Sequence, residues 1–158
     1  GLEADAKKLE VARAFGADHT IDVENEDAQE RVRELTDGEG VDIVVDVTSY
    51  ATEPVAEALQ FVRPGGTIVL AGVKGYKPIP NFVSDLIVSK EITVKGVIGV
   101  TSSGYESAIR LIESGTVALE KMHTHDFALR EAELAIRTLA REIPGEESIH
   151  SCLLPTLG

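Results

Sequence analysis

Cysteine is nearly absent: Cys152 is the only one in 158 residues. An internal disulfide and a cysteine zinc cluster within the chain are both excluded, and the composition fits a reducing, cytoplasmic setting. Long apolar runs are also missing. No stretch approaches the ~20 residues that cross a bilayer as a helix, and no signal-peptide pattern opens the chain. No membrane partner is expected. Positive charge is scarce and scattered, with 15 Lys and Arg against 27 Asp and Glu, a net charge of −12. Without a basic stripe, nucleic acid is a poor partner. A small anion stays open, because backbone N–H groups bind anions whatever the net charge. There is no initiator methionine, and Gly1-Leu2-Glu3 reads as the interior of a longer protein.

Two catalytic signatures are missing as well. No Gly-x-Ser-x-Gly elbow marks a serine hydrolase. None of Tyr50, Tyr76 or Tyr105 has a lysine four residues on, which argues against a short-chain dehydrogenase. What remains, at 43% hydrophobic and 27% charged, is enough for one globular domain with a real core.

The organising stretch runs from Gly40 to Val73. Val41–Val47 and Thr67–Val73 are β-branched runs with few charges, as expected of parallel strands buried on both faces. Between them Val55, Leu59 and Val62 mark one face of a helix, with Thr52 as its cap and Pro54 in its first turn. Arg63-Pro64-Gly65-Gly66 reads as the turn that ends it. Strand, helix and strand make a crossover that lays the two strands side by side in parallel.

Elsewhere, Asp5–Phe15 is predicted helical with Asp5 capping and Gly16 closing, Ala17–Val23 a strand, and Asn25–Thr36 a helix buried through Ala28, Val32 and Leu35. The acids at Glu24, Glu26 and Asp27 suit that helix's start. Asn81 caps a short helix through Ser89, and Ile92–Val100 is another strand. Ser102 or Ser103 opens a helix with Ala108, Leu111 and Ile112 on its apolar face. His123–Leu129 is extended, and Arg130–Glu142 is helical with Ala132, Ala135, Ile136 and Leu139 inward. Ser148–Leu154 is a terminal strand. The alternation implies an open α/β sheet.

Ligands of such sheets bind beyond the carboxyl ends of the strands. Those ends are Val47-Thr48-Ser49, Ala71-Gly72-Val73 and Ile98-Gly99-Val100, where Gly72 and Gly99 leave the backbone open to a flat ligand and Thr48 and Ser49 offer hydroxyls. Asp42 and Asp46 share a strand face but lie ~13 Å apart, too far to share a proton. Asp46 reads as a hydrogen-bond acceptor at the cleft. His123 and His125 have a spacing able to hold a metal, yet no third ligand is evident beyond Asp126, so no metal ligands are assigned.

Ala14-Phe15-Gly16-Ala17-Asp18, Gly40-Val41-Asp42 with Asp46, Arg63-Pro64-Gly65-Gly66, Ala71-Gly72-Val73, and Lys95-Gly96 with Gly99 occur here in order. In these the chain resembles the cofactor-binding region of the medium-chain dehydrogenase/reductase superfamily, the zinc-type alcohol dehydrogenases, over nearly its whole length. The resemblance implies a Rossmann-like parallel sheet that is incomplete, its first strand and most of its second preceding Gly1. The family's Gly-x-Gly-x-x-Gly turn and catalytic zinc ligands would also lie upstream. The terminal strand 148–154 would belong either to this domain or to the catalytic domain of the full protein.

By position, the backbone of Ala71, Val73, Val97 and Gly99 would hold the nicotinamide amide and ribose, with Gly72 and Ile98 between them in the same cofactor site. Thr48 and Ser49 would lie over the adenosine side, and Lys8 would reach the adenine ribose. The acid for the ribose hydroxyls would be Glu3, unless Gly1 takes that place, so NAD and NADP both stay open. His150 stands where many members place an arginine on the pyrophosphate. With the family's strand order 3-2-1-4-5-6, Val41–Val47 becomes an apolar edge, to be covered by Ala17–Val23 or by a second copy; a homo-oligomer is expected. The implied parent is an NAD(P)-dependent oxidoreductase with zinc in its upstream domain, acting on an alcohol or carbonyl, and this chain supplies no catalytic residue. A zinc-free quinone or enoyl reductase and a non-catalytic nucleotide-binding module are the alternatives.

Overall fold

A computed structural model describes residues 1–146 and 148–157. The elements in order are β1 (Leu2–Glu3), α1 (Ala6–Ala14), β2 (Ile21–Asp22), α2 (Ala28–Leu35), β3 (Val41–Asp46), α3 (Glu53–Phe61), β4 (Val62–Leu70), α4 (Asp85–Ser89), β5 (Thr93–Gly96), α5 (Ser102–Glu113), β6 (His125–Ala128), α6 (Ala132–Leu139) and β7 (Ser151–Leu154). Short 3₁₀ turns at Leu119–Met122 and Leu129–Glu131 flank β6. Strands pair as β1-β2, β3-β4-β5 and β6-β7. The chain divides into two compact units: Ile21–Thr101 with Leu2, and Gly1, Glu3–Thr20 with Ser102–Gly158.

In the first unit, β4 lies between β3 and β5, parallel to both. Two parallel neighbours cannot be joined by a tight turn, and α3 supplies the crossover. Its buried face, Val55, Ala58, Leu59 and Phe61, serves two clusters. Ala58 and Leu59 pack with Val62, Ile68 and Ile92, while Phe61 joins Ile21 and Val32. Lys90 reaches from beyond α4 to the end of α3, its Nζ donating to Leu59 O at 2.7 Å and Val62 O at 3.0 Å. A cation there answers carbonyls that the helix leaves unpaired.

Several expectations are corrected. Thr52 makes no side-chain cap bond; instead Glu53 accepts from the Thr52 N–H at 3.0 Å. Arg63–Gly66 is not a turn ahead of the strand but a bulge within β4: Val41 pairs with Val62, and Ile43 already with Thr67. Gly66 permits this, because a Cβ there would lie 2.9 Å from Asp42 O. β3 is buried on one side only, with Ile43 and Val45 more than half exposed. β2 pairs with β1, so Ala17–Val23 does not cover the edge of β3. Ile92–Val100 shortens to the four residues of β5, and Asn81 precedes α4 at positive φ rather than capping it.

The second unit contains α1, capped by Asp5, whose Oδ1 accepts from the Lys7 and Lys8 N–H groups at 2.9 and 3.3 Å. Arg141, just after α6, pairs with the same carboxylate. β6 and β7 run parallel, His125 opposite Ser151 and Asp126 opposite Cys152. Here too the inward sets differ: on α6 Ala135 and Thr138 are buried while Ile136 and Leu139 are exposed, and on α5 Leu111 and Ile112 are exposed.

Leu59 is 1% exposed at the centre of the crossover. Leu59→Ala is expected to destabilise the protein by about 2–5 kcal/mol, through lost transfer energy and a residual cavity. Urea unfolding checks this; a loss below about 1 kcal/mol would mean that α3 does not carry the core.

Candidate functional site

The carboxyl ends of β3 and β4 are tied together through Asp46. Its backbone carbonyl accepts from the N–H groups of Ala71 at 2.8 Å and Gly72 at 3.1 Å. Its side chain, 3% exposed, accepts at Oδ1 from the Thr48 hydroxyl at 2.5 Å and the Thr48 N–H at 3.0 Å. Oδ2 faces Lys74 Nζ at 2.7 Å, an ion pair by distance whose angles fall short of a hydrogen bond. Lys74 also donates to Thr48 Oγ1 at 2.7 Å and to the Thr48 carbonyl. Burial alone would push the Asp46 carboxyl up; Lys74 and the Thr48 donors outweigh it and hold the group below its ordinary value of 3.8. The backbone crossing is tight: a Cβ on Gly72 would sit 2.0 Å from Thr48 O, so only glycine fits.

Beyond this knot the strand ends are apolar and uncovered. Val47, Val73, Val97, Ile98 and Val100 are all exposed, Ile98 at 89%. Exposed apolar side chains gathered at the ends of adjacent parallel strands are what a flat ligand requires. The N–H groups of Ala71, Gly72 and Val97 are engaged within the sheet, Val97 donating to Leu70 O at 3.0 Å, and the Val73 carbonyl accepts from Tyr50. Gly99 has positive φ and open space where a Cβ would be. Thr48's hydroxyl is committed to Asp46 and Lys74, whereas Ser49 is exposed with no side-chain partner among the described residues. A depression lined by Val23, Glu26, Asp27, Glu57 and Gln60 lies away from these ends, and its acids would repel a phosphate.

Three expected site residues, Glu3, Lys8 and His150, belong to the other compact unit. Glu3 ends β1, its Oε1 accepting from the Ala4 N–H at 3.0 Å and its Oε2 3.6 Å from Lys8 Nζ. The Gly1 nitrogen donates to His19 O at 2.8 Å. His150 meets His123, Nδ1 to Nδ1 at 3.1 Å, and His123 Nε2 meets Asp126 at 2.9 Å. His125 turns elsewhere, to Glu146 at 3.0 Å. Sequence reasoning missed Lys74. Its only signal was a lone lysine directly after Ala71-Gly72-Val73, with its partner 28 positions back.

Strands parallel and crossover-linked, with the open site at their carboxyl ends, define the class: an α/β fold of the dinucleotide-binding type. The sequence matches the family described as zinc-binding dehydrogenase over residues 1–114, and the chain belongs to that family. "Probable alcohol dehydrogenase adh" of Mycobacterium tuberculosis is 38% identical over 152 residues, which cover 96% of this chain and 41% of that protein. The erythritol/L-threitol dehydrogenase of Mycolicibacterium smegmatis is 31% identical, over 98% of this chain and 41% of the relative. Among solved structures, alcohol dehydrogenase TADH from Thermus sp. ATN1 superposes with a TM-score of 0.81 at 26% identity, over 97% of this chain and 42% of that one. The chain thus spans about two fifths of the length of the relatives it matches. Among the described residues, no helix is long and apolar enough to cross a membrane.

Lys74→Met leaves Asp46 buried without its cation, and is expected to cost about 3 kcal/mol at neutral pH. Asp46 has a lowered folded-state pKa, so its stabilisation is complete above the unfolded value and fades as pH falls through the lower folded one. The gap between wild type and Lys74→Met should therefore close on acidification below the ordinary carboxylate range. Urea unfolding across that range checks it; parallel curves would contradict the ion pair.

Proposed function

We propose that this chain is the cofactor-binding part of an NAD(P)-dependent alcohol dehydrogenase-like oxidoreductase of zinc type. The observation that carries the reading is the apolar, exposed set of strand ends held in register by the Asp46–Thr48–Lys74 knot. The nicotinamide, when bound, supplies or accepts the hydride exchanged with an alcohol or carbonyl. The chain's own part is to bind and orient. Val73, Val97 and Ile98 offer a dry wall for the ring, and Gly72 and Gly99 keep side chains out of its plane. Ser49 supplies a hydroxyl for a ribose. Glu3, a carboxylate at the end of β1, suits the ribose hydroxyls of NAD and repels the extra phosphate of NADP, which favours NAD. Lys8, beside Glu3, is exposed enough to turn to the same ribose. Zinc ligands are assigned to the part of the relatives' length that this chain does not span, and the chain alone is inactive in this reading. A homo-oligomer in the cytoplasm belongs to the same proposal, a second copy being one cover for the apolar edge of β3.

Because Ile98 is solvent-exposed, Ile98→Glu should leave the unfolding midpoint unchanged while placing a charge against the ring. NADH titration of the protein at its full length should then show affinity reduced about tenfold or more, equivalent to ~1.4 kcal/mol. Unchanged affinity would contradict the assigned wall.

A further inference from the structure

One cluster is used by none of this. One ligand atom each from His123, His150 and Cys152 lies within 4.8 Å of the others. The local fold explains why residues 27 positions apart meet. β6 and β7 align Asp126 with Cys152, so the segments leading into them, 123–124 and 149–150, also lie together. Thr124 fastens them: its hydroxyl donates to His150 O at 2.9 Å and accepts from the Ile149 and His150 N–H groups at 3.1 and 3.3 Å. Cys152 lies on β7, and His150 directly precedes that strand.

The imidazoles meet edge-on rather than stacked. Their planes are inclined at 65°, and the two Nδ1 atoms lie 3.1 Å apart. Two nitrogens on one tetrahedral zinc, at ~2.0–2.1 Å from the ion, lie ~3.3 Å apart, and a nitrogen and a thiolate sulfur ~3.5 Å. The nitrogens are thus nearly in place, and the Cys152 sulfur lies within 4.8 Å of both. His123 also has the outer support that such ligands carry: Nε2 is held by Asp126 at 2.9 Å, which fixes the proton on that nitrogen and leaves Nδ1 with its lone pair.

We propose that His123, His150 and Cys152 form a three-ligand zinc site, with Asp126 positioning His123 and a fourth coordination place open to solvent or a small ligand. Two nitrogens and a thiolate select zinc over magnesium or calcium, which take oxygen ligands. Binding displaces the proton between the two Nδ1 atoms to His150 Nε2 and releases the thiol proton to solvent, one proton per ion. The site assigns His150 to a metal rather than to a pyrophosphate, and stands independently of the cofactor proposal.

The test uses the protein at its full length, reduced and without an affinity tag, titrated with Co²⁺ and then with Zn²⁺, each spectrum read as the difference from Cys152→Ser. One equivalent of Co²⁺ should give thiolate-to-cobalt charge transfer in the near ultraviolet with tetrahedral visible bands, and Zn²⁺ should abolish both. Cys152→Ser should lose the charge-transfer band. His123→Ala and His150→Ala, at exposed positions, should weaken Zn²⁺ binding tenfold or more, and Asp126→Asn about tenfold. His125→Gln, outside the cluster, should bind Zn²⁺ as wild type does. Absence of a thiolate band from the folded chain, or affinity unchanged by His150→Ala, would overturn the proposal.

Discussion

The carboxylate of Asp46 is the constraint on which the candidate cleft depends. A charge almost wholly removed from water is tolerable only with a cation and hydrogen-bond donors in place, and Lys74 and Thr48 provide them. The Lys74 contact joins the end of β3 to the chain leaving β4, while the Thr48 contacts lie within the end of β3. The Asp46 carbonyl fixes the same junction through Ala71 and Gly72, and Gly72 lets the two backbones cross where any Cβ would collide. The strand ends are therefore rigid at their base and apolar at their tips. That division suits a fold whose interior carries stability and whose rim carries binding.

What holds the ends also depends on what brings the strands together. α3 buries both of its clusters against the region where β3 and β4 lie in register, and the Arg63–Gly66 bulge absorbs the mismatch at the start of the pairing. Asp42 then meets Arg63 at 2.7 Å across that bulge, an exposed pair of small energetic weight. The crossover, not the surface charge, sets the geometry. The same logic governs the second unit on a smaller scale, where parallel β6 and β7 bring His123 to His150 and Cys152.

Much of this was legible from residue order. The crossover, the Asp5 cap and the role of Asp46 as an acceptor all follow from short-range chemistry, and membership in the zinc-binding dehydrogenase family was readable from its motifs. Long-range facts were not. Lys74 finds Asp46 only after 28 residues of crossover, and Cys152 meets His123 only through strand register. Periodicity also says which face of a helix is apolar, not what covers it. Leu111, Ile112, Ile136 and Leu139 are exposed, while the less apolar Thr138 is buried. Strand length was overread for a related reason: an apolar run becomes a strand only as far as a partner pairs with it, so Ala17–Val23 keeps two strand residues and Ile92–Val100 four.

The central claim is that these strand ends form one wall of a nicotinamide cleft. A crystal structure of the full-length protein with NADH tests it most directly. The expected result is the ring against Val73 and Ile98, over Gly72, with Asp46 still paired to Lys74. A ring bound on another face of the sheet, or strand ends covered by protein in place of cofactor, would contradict it.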